Sequence, residues 1–178
     1  MAHYSVAHDT LRHQAASTPS QALEGLLDDL AAVLVRMTPD LYTARPAEKV
    51  SGSIGEHVRH TLDHIRVFVA LGSTTTVSYD CRERGTSVET DPGAALRQIF
   101  SLRSAIRQQS ARDLDEPVQI TALVSSESSV RGWSTRAREL AFVVSHTVHH
   151  QAIIALLLAF LGLSVPGRFG YAPSTPRV

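Results

Sequence analysis

Residues 141–157 read AFVVSHTVHHQAIIALL, and this stretch decides the fold. It carries no proline or glycine, and with its flanks it predicts a helix from about Thr135 to Leu163, stopped by Gly162 and Pro166. At about 100° per residue, Glu139, Phe142, His150, Ile153 and Leu157 all fall within about 40° of His146. His146 and His150 are therefore expected at the centre of an apolar stripe that faces the interior. Thr147 and Gln151, at about 100° and 140°, are expected on another side, and His149 falls about 60° off the shared axis.

A second histidine cluster lies in residues 51–68, SGSIGEHVRHTLDHIRVF, so six of the nine histidines fall in two short stretches. Ser53 followed by Glu56 is a capping-box signal, and Gly72 is a stop, giving a helix over about 53–72. On that helix His57, His60 and His64 border the apolar face formed by Ile54, Val58, Ile65, Phe68 and Val69. Two further helices follow from the same signals. Thr18, Pro19 and Gln21 open one that runs with Leu23, Leu27, Leu30 and Leu34 toward Thr38-Pro39. Asp91-Pro92 opens the other, over about 92–112, with Leu96, Ile99, Leu102 and Ile106 in register.

Four amphipathic helices predict an all-α four-helix bundle, read as a single domain over residues 1–178. Residues 77–91, VSYDCRERGTSVETD, are too polar for core and read as an irregular insert. Before the last helix, Val118, Ile120, Ala122 and Val124 alternate and predict a short strand or hairpin. Residues 1–17 are expected to be a flexible N-terminus and residues 164–178 an extended C-terminal tail.

Lysine plus arginine and aspartate plus glutamate each number 17, with no basic stripe, which argues against a nucleic-acid partner. The longest apolar run, 151–165, is interrupted by Gly162 and Ser164 and reads as too short for a membrane span. The first twenty residues lack the apolar core of a signal peptide, so the expected location is cytoplasmic. Cys81, the single cysteine, excludes an intrachain disulfide and a thiolate cluster.

Two imidazoles one turn apart on a buried stripe need partners, because each unpaired polar group costs about 1–3 kcal/mol. A metal ion satisfies both, with a third histidine supplied by His57, His60 or His64. Such a site suits zinc, nickel, iron(II) or manganese and would polarise water or a thiol. Asp63 and Glu139 are candidates to accept from the ligands' second ring nitrogens, and Glu139 is also a candidate proton shuttle. Tyr79, Arg82 and Arg84 are candidates for binding an anionic substrate.

Ser53 with His60-x-x-Asp63, and Ser145-His146-x-x-His149-His150-Gln151, resemble the motifs of the DinB-like (DinB/YfiT) superfamily of metal-binding four-helix bundles, over about residues 20–175. The resemblance implies His60, His146 and His150 as the ligand triad, with His57 and His64 as alternates. It also implies a divalent transition metal and, as partner, a small-molecule substrate such as a low-molecular-weight thiol. Three functions compete: a metal-dependent transferase or hydrolase, a non-catalytic metal-binding or sensor module, and a metal-free structural bundle. Homodimerisation is left open.

Overall fold

The computed structural model describes residues 18–46, 50–71, 76–80, 83–109 and 112–176. Residues 1–17, expected to be flexible, lie outside the described residues, as do Gly72, Cys81 and Arg82. Four long helices carry the fold: α1 (Pro19–Leu34), α3 (Ile54–Ala70), α5 (Pro92–Gln108) and α6 (Arg136–Phe160). Between them lie two short helices, α2 (Pro39–Thr43) and α4 (Ser87–Thr90), and three strands, β1 (Thr76–Ser78), β2 (Pro117–Leu123) and β3 (Ser129–Thr135).

The expected caps form. Thr18 and Gln21 make a reciprocal capping box, as do Ser53 and Glu56, each satisfying two amides that the first turn leaves open. Gly162 closes α6 at a φ of +70°, with Leu163 N–H donating to Leu158 O at 2.9 Å. Only glycine takes that left-handed φ without strain. The first helix stops at Leu34, short of the expected Thr38-Pro39. That dipeptide instead starts α2, because Thr38 caps Leu41 N–H and proline suits a first turn.

Each long helix packs against two others: α1 and α3 both touch α5 and α6. Leu23, Leu27, Leu30, Ile54, Val58, Leu62, Ile65, Ile99, Leu140, Val143, Ile154 and Leu157 fill the space between them, all fully buried. By length and composition α6 could cross a bilayer, contrary to the reading from residues 151–165. Here its neighbours are α1 and α3.

The chain is mostly helical, with a small three-stranded sheet beside the helices. The expected hairpin is β2–β3, antiparallel from Pro117↔Thr135 to Leu123↔Ser129. Against it lies β1, parallel to β2 from Thr76↔Gln119 to Ser78↔Thr121, so the sheet is mixed, in the order β1-β2-β3. Three residues are too few to display alternation, which is why β1 was absorbed into the irregular insert. Within the expected tail, residues 164–178, turns form at 167–170 and 173–174 among the described residues. Phe169 enters the core, and a Cβ on Gly170 would lie 2.6 Å from the Ala152 backbone.

Arg136, 1% exposed, anchors the sheet end of α6 to the end of α3. Its guanidinium donates to Leu71 O at 3.1 Å and to Gln109 Oε1, and covers the Phe68 ring. Gln109 and Arg112 donate to Val69 O and Leu71 O, so cations and amides satisfy the carbonyls that α3 leaves open.

At its other end α3 meets α4 through Gly55, where a Cβ would lie 2.0 Å from Glu89 O. Gly55→Ala is therefore expected to destabilise the fold by about 1–3 kcal/mol through overpacking. A urea melt checks this, and an unchanged midpoint would mean that the α3–α4 contact is not tight.

Candidate metal centre

α3 and α6 pack side by side and bring all six histidines of the two clusters into ring contact. The ring centroids of His60 lie 4.9 Å from His146 and 4.5 Å from His150, and His146 lies 4.5 Å from His150. One ring nitrogen from each of these three falls within 4.8 Å of the others. His146 Nε2 and His60 Nε2 lie 3.1 Å apart. Two ligand nitrogens on one tetrahedral ion with bonds near 2.0–2.1 Å lie roughly 3.3 Å apart, close to the spacing of this pair.

The other three histidines differ. His57 Nδ1 faces His150 Nδ1 at 3.1 Å, and its Nε2 donates to Ser51 O at 2.9 Å. His64 donates from Nδ1 to His60 O at 3.0 Å and is stacked between His146 and Tyr79, with centroid distances of 3.9 and 5.2 Å. His149 is exposed, as its offset on the wheel requires.

Burial, reinforced by the neighbouring His146, His57, His149 and His64 rings, pushes the His150 pKa down from 6.5 to about 3. Burial also lowers His57, against the opposing effects of Ser51 O and Glu56. Both rings are therefore neutral at pH 7, the form that ligates metal.

The stripe on α6 is rotated from its expected position. Thr147 and Gln151 are buried at the centre of a face with Leu140, Val143, Ile154 and Leu158, and the buried His150 and half-buried His146 lie along its edge. Both polar side chains are paired: Thr147 donates to Val143 O at 2.7 Å and Gln151 to Leu26 O at 2.7 Å. An edge position is what allows the two histidines to meet the bordering histidines of α3.

Both candidate carboxylates are bound to side chains other than the histidines. Asp63 accepts from Arg59 at 2.8 Å and from Arg66 at 3.0 Å. The buried Arg59 also donates to Glu89 at 2.8 Å, so Asp63 belongs to an ion-pair network tying α3 to α4. Glu139, buried, accepts from Ser134 at 2.7 Å and neighbours Arg138 and Tyr79. The burial of Tyr79 and the nearby Glu139 charge push the phenol pKa up.

These residues separate into two cavities. One, of about 280 Å³, is lined by His57, His60 and His150 with Ser51, Glu56, Arg59, Arg84 and Glu89. The other, of about 290 Å³, lies under the hairpin and is lined by Tyr79, Trp133, Ser134, Arg138, Glu139 and Phe142, among others. Arg84 thus shares a cavity with two of the triad, whereas Tyr79 and Glu139 lie on the hairpin side. Sequence reading missed the bond from His57 to Ser51 O; the Ser-Gly-Ser run before the cap was its one visible trace.

Comparison with known proteins places this arrangement. FK506-binding protein 5 of Rhizopus delemar is 37% identical over 103 residues, covering 57% of this chain and 27% of that protein. The chain thus matches about a quarter of the length of that relative. The DinB superfamily profile matches residues 22–154, a span that includes both histidine clusters. The chain belongs to the DinB superfamily.

Proposed function

We propose that this protein is a metal-dependent transferase or hydrolase in which α1, α3, α5 and α6 form a four-helix bundle around one divalent transition ion. His60, His146 and His150 would hold the ion, which could be zinc, nickel, iron(II) or manganese. The observation that carries this reading is the convergence of three ring nitrogens within 4.8 Å beside a cavity open to two of those rings. Three protein ligands leave a tetrahedral ion one open position, the arrangement of catalytic and not of closed structural sites.

When bound, the ion supplies Lewis acidity that lowers the pKa of a thiol or water at that open position. The chain's own residues do the rest. His57, His60 and His150 wall the cavity where a low-molecular-weight thiol or other small substrate would lie. Glu56 and Glu89 are neutralised by Arg45 and Arg59. Arg84, exposed at the cavity wall, is placed to meet an anionic group of the substrate. The proposed setting is the cytoplasm.

Cobalt(II) loading tests the open position. Adding 2-mercaptoethanol to the cobalt protein should produce a sulfur-to-cobalt charge-transfer band that saturates at one thiol per ion. A cobalt spectrum unmoved by thiol and by azide would mean a closed site, and the sensor or structural reading would replace the enzyme.

A further inference from the structure

His57 is an alternate for the third ligand on sequence grounds, but its hydrogen bonds point to a different task. Its Nε2 lies 2.9 Å from Ser51 O, and a carbonyl oxygen can only accept, so Nε2 carries the ring proton. In the neutral ring Nδ1 is then a bare lone pair, and it faces His150 Nδ1 at 3.1 Å. Two nitrogens at that separation share one proton, which must belong to His150. The His150 lone pair is thereby confined to Nε2.

We propose that His57 is a positioning residue that fixes the tautomer and ring orientation of His150, leaving Nε2 as its one ligating nitrogen. The inference rests on the metal-centre reading above. Ligating histidines ordinarily donate their second N–H to a carboxylate, carbonyl or water. Here a second imidazole takes that place, itself oriented by a backbone carbonyl.

Gly52 completes the device. It adopts a φ of +93°, and a Cβ there would lie 3.4 Å from His57 Nε2 and 3.2 Å from Glu56 Oε2. Glycine lets the chain turn so that Ser51 O faces the ring. His57 cannot ligate the same ion through Nδ1 without giving up His150, nor through Nε2 without giving up Ser51.

Two measurements test this. In apo wild type at pH 7.5, the ¹⁵N shifts of the His150 ring should show the proton on Nδ1. Zinc affinity, read by competition with a chelating dye, should fall 10–100-fold in His57→Phe, which keeps the bulk but removes the acceptor. His57→Asn, whose Oδ1 can replace Nδ1 as acceptor, should recover most of that loss. A residue that only packs would give the opposite order, with Phe tolerated and Asn worse. A proton on Nε2 of His150 in wild type, or equal affinity for His57→Phe and wild type, would overturn the assignment. Wild type that binds no zinc would count against the metal reading instead, and the tautomer would still decide the His57–His150 link.

Discussion

Alanine at His146 or His150 is expected to abolish stoichiometric metal binding, whereas alanine at His149 leaves it nearly intact. Each of the first two removes one of three donors that converge within 4.8 Å. Zinc sites with four ligands are worth about 10–16 kcal/mol, so one donor is worth on the order of 3 kcal/mol, roughly a hundredfold or more in affinity. His149 is exposed, and its ring lies 6.5 Å from His146 and 5.2 Å from His150. Isothermal titration of the three apo variants with zinc reads the difference. Equal losses in all three would mean that the ion is held by an exposed cluster and not by the triad.

The second large effect is on stability, and it has opposite signs for protons and metal. His150 takes up a proton near pH 6.5 in the unfolded chain, while in the fold its pKa is about 3. Stability is therefore at its full value above about pH 6.5 and falls as the pH drops toward 3. This ring alone accounts for about 1.4 kcal/mol per pH unit. His57, lowered by burial, acts in the same direction. Metal binds the folded chain and adds roughly 4 kcal/mol when free metal is a thousandfold above Kd. For a chain of this size that corresponds to a rise of roughly 8–16 °C in Tm. The apo protein should thus melt progressively lower from pH 6.5 to pH 5, and zinc at pH 7.5 should raise its Tm. An apo Tm that stays flat over that pH range would contradict a neutral, buried His150.

Both results depend on a geometry that was only partly legible beforehand. The helices were legible because their ends carry local chemistry: Thr18 with Gln21, Ser53 with Glu56, Asp91 before Pro92, and Gly162 each act within one turn. The pairing of His146 with His150 was legible because a four-residue spacing stacks side chains on one helix face, whereas spacing left His57, His60 and His64 open as the third histidine and only the resemblance to the DinB-like superfamily implied His60. Less visible was the rotation of α6. It is apolar on most sides, so Thr147 and Gln151 marked a polar face by composition, yet both are buried through bonds to Val143 O and Leu26 O. Tertiary partners of that kind leave no periodic trace. The same holds for Asp63, drawn to Arg59 and Arg66, and for β1, whose partner strand lies some forty residues away. The exchange of His57 from candidate ligand to partner of His150 depends on a carbonyl whose direction is set by Gly52.

The central claim is that His60, His146 and His150 hold one ion. The most direct measurement is the metal content, by mass spectrometry, of untagged protein purified without an immobilised-metal column, beside that of a His60→Ala/His146→Ala/His150→Ala variant. The account predicts close to one divalent transition ion per wild-type chain and none in the variant. Metal-free wild type that cannot be reconstituted with zinc, nickel, iron or manganese, or equal metal in both proteins, would contradict it.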